Sequence, residues 1–203
     1  MSDSIEFLNG IVLDVLKEIG NIGAGNAATS LAKMLNKKID MDVPQVKLLE
    51  FKDVPSLIGG EENLIIGIYF NLEGDLTGSF MFLLDKESAL GLLNMIMPME
   101  FTEFDEMCNS ALKEIGNILS GAYISSLASL TNLEISISVP FISYDMAGAI
   151  LSVPAIQFGM VSDNVLIVEN NFFEDNKFDS IKGYFLLVPD LDSYDTLLKS
   201  LGV

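Results

Sequence analysis

An internally duplicated α+β fold follows from three features of this 203-residue chain. The string Leu-Lys-Glu-Ile-Gly-Asn-Ile occurs twice, at residues 16–22 and 112–118, each time inside a helical pattern of apolar residues. Each copy is followed by an extended segment ending in Val-Pro, at Val43-Pro44 and Val139-Pro140. Two β-rich runs separated by turn residues then follow in both halves. Repetition on this scale means two copies of one supersecondary unit. The expected order in each half is helix, strand, hairpin, helix, with an antiparallel sheet, two long motif-bearing helices and a pseudo-two-fold axis. A parallel doubly wound sheet would need helices between successive strands, which the hairpins deny. The chain is expected to be a single domain over 1–203, with repeat halves at about 1–101 and 102–203.

The elements are justified in turn. Val12, Leu16, Ile19 and Gly23 recur at helical spacing, as do Leu112, Ile115 and Leu119, which predicts helices over about 11–35 and 106–130. Proline cannot donate to a central ladder, so Pro44 and Pro140 mark strand edges or bends. The runs 63–70 and 164–168 correspond as first hairpin strands, and 78–85 and 183–190 as second strands. Glu73-Gly74-Asp75 is the turn signal in one half, and residues 174–177 play that part in the other. Short helices are expected over 86–97 and 193–201.

Composition narrows the function. Half of the residues are hydrophobic, so the chain is globular. A net charge of −18 argues against nucleic acid or an anionic membrane surface as partner. There is no histidine and one cysteine, Cys108, which excludes disulfide frameworks, Cys/His metal sites and imidazole catalysis. The acidic N-terminus does not read as a secretory signal. No apolar run reaches the roughly 20 residues of a membrane helix. A cytoplasmic protein with no membrane insertion is expected.

On a helix, positions i, i+4 and i+7 fall in one stripe. Asp14, Glu18 and Asn21 have those offsets, as do Ser110, Glu114 and Asn117, and each set lies opposite aliphatic residues. A solvated helix face is the plain reading of one such set, and its repetition favours function. Gly25 and Gly121 each follow the Asn by four positions. An exposed helical glycine costs roughly 1 kcal/mol against alanine, so a bare glycine beside Asn suggests close approach of another molecule. The run Gly23-Ala24-Gly25-Asn26-Ala27-Ala28 imitates a dinucleotide-binding fingerprint, but that motif needs a strand before it, and here a helical pattern runs through it. An Asn amide can both donate to and accept from a water, and a nearby Glu can meet a cation or take a proton.

The duplicated Asp/Ser-x-x-x-Glu-x-x-Asn pattern with a distant proline resembles the CheC family of bacterial chemotaxis phosphatases, over nearly the whole chain. The resemblance implies hydrolysis of the aspartyl phosphate of the response regulator CheY. It implies that Asn21 and Asn117 orient the attacking water and that Glu18 and Glu114 pair with the regulator's lysine. Asp14, Ser110, Pro44 and Pro140 would support the motif. No cofactor or metal of the chain's own is implied, the Mg²⁺ coming from the phosphorylated regulator. Two intact sites resemble the monomeric CheC type rather than the single-site, dimeric CheX type. The extra N-terminal peptide and C-terminal flagellar domain of FliY-like members are not expected. Class members also resemble partners of the receptor deamidase CheD, for which a short helix within 143–150 exposing Asp145 is the expected surface; a packed connector held by Met146 and Ile150 is the alternative. A non-catalytic adaptor that binds CheD or a flagellar switch component remains the other reading of function.

Overall fold

In the computed structural model, the described residues are 2–35, 39–43, 45–97, 99–158, 164–174 and 181–202. The first half contributes α1 (Ser2–Leu35), β1 (Ile39–Asp42), β2 (Val46–Glu50), α2 (Val54–Leu57), β3 (Leu64–Gly74), β4 (Gly78–Asp85) and α3 (Lys86–Ile96). The second half contributes α4 (Glu106–Thr131), β5 (Ile135–Ile137), β6 (Phe141–Met146), α5 (Ala147–Phe158), β7 (Asn164–Glu174), β8 (Ile181–Pro189) and α6 (Leu191–Ser200). The helix expected from residue 11 begins at Ser2. α4 runs one residue past its expected end.

The eight strands among the described residues join one antiparallel sheet whose main path is β1-β7-β8-β4-β3-β5, with β2 also on β7 and β6 also on β3. Strands are exchanged between the halves. The outer strands β1 and β2 pair with the second hairpin, and β5 and β6 pair with the first. The two hairpins meet at β4 and β8, where Phe80 faces Leu187 and Phe82 faces Phe185. These two pairs interchange under the repeat, which places the pseudo-two-fold axis between β4 and β8.

Both faces of the central strands are covered, which is why their sequences read as continuous apolar runs rather than alternating ones. On one face, α1, α3, α4 and α6 bury Ile66, Ile68, Phe80, Phe82, Phe185 and Leu187 with Leu16, Ile19, Leu112, Ile115 and Leu197. On the other, α2 and α5 cover Ile65, Met81, Leu83, Ile167, Leu186 and Val188 with Val54, Ile58, Ile150 and Leu151. Phe185 centres the first core, its ring 4.5 to 5.0 Å from those of Tyr123, Phe82 and Phe80.

The structure corrects one expectation. Asp145 is not on a short helix: it lies on β6, opposite Ile65 of β3, and the helix starts afterwards at Ala147. Tyr144 stacks on Phe104 at 5.1 Å, and Ile142, two positions back on the same strand face, packs on the first core as Phe104 does. Nor does Met146 pack as a connector would, since it is exposed, although Ile150 is buried.

Candidate active site

The inward side of each motif is set by aliphatics and a glycine. Leu16 and Ile19 on α1, and Leu112, Ile115 and Leu119 on α4, are buried in the first core. The motif glycines let these helices come close to what lies beneath them. A Cβ at Gly20 would stand 3.3 Å from Val43 Cγ1, and one at Gly116 would stand 2.8 Å from Ile68 Cδ1. The two helices also pack on each other, with Asn26 Nδ2 donating to Ser126 Oγ at 3.3 Å across the contact.

The outward side is polar. Asp14, Glu18, Asn21, Ser110, Glu114 and Asn117 are all exposed. Gly25 and Gly121, one turn beyond each Asn, have nothing within 4 Å of where a Cβ would stand. Among the described residues no packing therefore accounts for a glycine at either position. The N-terminus of α4 is fixed by Asp105, whose carboxylate accepts from the Cys108 amide at 2.8 Å. That bond holds the Asp105 carboxyl below its ordinary range. Cys108 is buried and its thiol donates to the Glu103 carbonyl at 3.2 Å, so burial pushes its pKa up and it is no nucleophile.

The two copies are not identical. Asn21 Oδ1 accepts from the Val43 amide at 3.2 Å, whereas among the described residues the Asn117 side chain has no hydrogen-bond partner. Pro44 lies outside the described residues. Pro140 is half-buried in the loop before β6. Among the described residues no group of three or more His, Cys, Asp or Glu is placed to hold a metal.

The segment expected to expose Asp145 lines a recess that the sequence did not reveal. Tyr69, Phe70, Asn71, Ser79, Phe141, Ser143, Asp145, Ala149 and Ile150 line a cavity of about 410 Å³ beside α5. Tyr69 donates to the Ile150 carbonyl at 2.9 Å there, and burial, aided by the charge of Asp145, drives its pKa well above the ordinary value.

A carboxamide and a carboxylate displayed on convex helix faces can orient a water and engage a cation, provided a second macromolecule brings the cleft. The CheC-like family model matches residues 11–48 and 107–144, one motif helix with its following strands in each half. The CheY-P phosphatase CheC of Bacillus subtilis is 37% identical over 206 residues, 98% of this chain and 99% of that protein. The chain belongs to the CheC-like family. The crystal structure of Thermotoga maritima FliY is similar to this CheC-like chain with a TM-score of 0.72 and 27% identity, over 93% of this chain and 96% of that one. The FliM middle domain of H. pylori shares the fold, at a TM-score of 0.66 and 10% identity over 93% and 97% of the two chains. Among the described residues no helix is long and apolar enough to cross a membrane.

Proposed function

We propose that this chain is a chemotaxis protein phosphatase that hydrolyses the aspartyl phosphate of the response regulator CheY, with Glu18 and Asn21 forming one site and Glu114 and Asn117 the other. The observation that carries the reading is the pair of exposed Glu–Asn stripes, each backed by a buried aliphatic face and followed by an open glycine. The near full-length similarity to the Bacillus subtilis phosphatase supports it.

In this reading the regulator brings the phosphoryl group, its Mg²⁺ and a lysine, and the phosphatase brings orientation. The Asn carboxamide enters the regulator's cleft and holds a water in line with phosphorus. The water oxygen bonds to phosphorus as the bond to the aspartyl oxygen breaks, leaving a free carboxylate and dihydrogen phosphate that carries both of the water's protons. The Glu carboxylate pairs with the regulator's lysine and fixes the docking register. Catalysis by positioning suits phosphoryl transfer, in which little covalent work falls to the protein. The chain acts as a monomer in the cytoplasm.

The test is phosphate release from the phosphorylated regulator. Asn21→Ala and Asn117→Ala should each lose part of the activity and the double variant nearly all of it. Removal of one positioning donor elsewhere costs on the order of 10²–10³ in rate. A folded double variant that still dephosphorylates at the wild-type rate rejects the site assignment.

A second reading has its own observation. Phe141 is 68% exposed on the β6 edge, beside the Asp145 cavity, which suits an adaptor surface for a partner such as CheD. It predicts that Asp145→Asn weakens partner capture and leaves phosphate release unchanged. Equal capture by the variant rejects this surface.

A further inference from the structure

The repeat places a Val-Pro pair after each motif helix, yet the two pairs lie in different environments. Val43 is 2% exposed and packs into the space left by Gly20, which brings its main-chain N–H to Asn21 Oδ1 at 3.2 Å. Val139, its counterpart, is 87% exposed. The segment before it is drawn to β3 instead: the Ser138 amide donates to the Asn71 carbonyl and the Asn71 amide donates to Ser138 Oγ, both at 3.0 Å. The space beside Gly116 is filled by Ile68.

We propose that the main-chain amide of Val43 is a positioning group for Asn21, and that the second site has no equivalent. The inference rests on the assignment of Asn21 and Asn117 as the water-orienting residues. A carboxamide oxygen has two lone pairs. With one engaged by Val43, the oxygen is fixed in direction and the other remains free for a water proton, so the first site is organised before the regulator docks. At the second site the Asn117 carboxamide must be ordered during docking. Groups held in place beforehand do not have to be ordered in the transition state. The asymmetry arises from strand exchange: the peptide before Pro44 lies under α1, while the peptide before Pro140 is tied to the other half's hairpin.

The experiment uses single-site enzymes, Asn117→Ala to leave the first site and Asn21→Ala to leave the second. Val43→Pro removes the N–H donor while keeping an extended backbone before Pro44. In the Asn117→Ala background it should lower kcat by roughly three- to ten-fold, as expected for one net hydrogen bond, with KM for the phosphorylated regulator unchanged within about two-fold. Val139→Pro in the Asn21→Ala background should leave both constants unchanged. Unchanged kcat in folded Val43→Pro overturns the proposal, and so does an equal loss in Val139→Pro. Because Val43 is buried, amide exchange supplies an arm independent of that variant. The Val43 N–H should be protected in wild type and exchange faster in Asn21→Ala, while the Val139 N–H exchanges fast in both. Equal Val43 exchange in the two proteins also overturns it. If Asn21→Ala removes no activity from the Asn117→Ala enzyme, the site assignment itself fails, a result distinct from a failure of Val43 alone.

Discussion

Gly23 of α1 lies directly against the backbone of α4: a Cβ at that position would stand 3.1 Å from Tyr123 Cα. The neighbour is main chain at the middle of a helix, so it cannot swing aside as a side-chain tip would. Gly23→Ala should therefore push the two motif helices apart and destabilise the chain by about 1–3 kcal/mol, the usual range for overpacking. Urea denaturation checks this. A variant as stable as wild type would mean that the helices have slack.

Gly25, two residues on, should behave in the opposite way. Open space surrounds it, so Gly25→Ala should stabilise α1 by up to about 1 kcal/mol through helix propensity. It should nevertheless raise KM for the phosphorylated regulator several-fold, because the added methyl stands where the regulator approaches. Thermal melting and steady-state kinetics on the same preparation separate the two effects.

Tyr123 supports the first core through its hydroxyl, which donates to Asn170 Oδ1; both residues are buried. Asn170 Nδ2 in turn donates to the Val168 carbonyl at 2.9 Å. Tyr123→Phe leaves that acceptor buried and unpaired, at a cost of about 1–3 kcal/mol. Loss of less than a few tenths of a kcal/mol in a denaturation curve would contradict the linkage.

The same tyrosine sets an alkaline limit. Burial raises the Tyr123 hydroxyl far above its ordinary pKa of 10.0, with the charge of Asp42 adding to the effect, and burial also raises Tyr69 and Tyr184. The folded chain keeps these protons where the unfolded chain releases them, so the unfolded state binds fewer protons above about pH 10. Stability from these groups is complete below that pH and should decline as pH rises through the folded-state values. Tyr123→Phe should flatten the decline, which melting temperatures across the alkaline range would reveal.

Cys108 should be silent toward thiol reagents in the folded protein. Its burial and its bond to Glu103 leave neither access nor thiolate. A chromogenic disulfide should react with it only as fast as the chain opens, and at once in denaturant. Rapid reaction under native conditions would show that the start of α4 frays.

Much of this architecture was legible in the residues. The repeated Leu-Lys-Glu-Ile-Gly-Asn-Ile string placed both motif helices, and the apolar runs around Gly74 and Gly78 placed the first hairpin, because helical and strand periodicity are local signals. The exposure of Glu18, Asn21, Glu114 and Asn117 followed from the same periodicity. The pairing of β2 with β7 and of β6 with β3 left no such trace, since it joins residues 72 to 122 positions apart. α5 was expected only as a short helix within 143–150, and its true span was not legible because Ala147-Gly-Ala-Ile-Leu-Ser-Val-Pro-Ala-Ile is apolar on every side and carries a proline. The Asn21–Val43 bond was equally hidden: both copies spell Asn and Val at one spacing, and the difference lies in what each Val packs on.

The exchange of outer strands has a consequence for how such a chain is made. A polypeptide ending near residue 101 would present a hairpin with both flanks bare and two short strands with nothing to join. Its natural remedy is a second molecule of the same kind, each completing the other's ribbon. Fusing two such molecules head to tail ties the mates together at high effective concentration, and it frees the two helices to drift apart in detail. Separately expressed fragments cut between the halves should accordingly stay unstructured alone and fold on mixing.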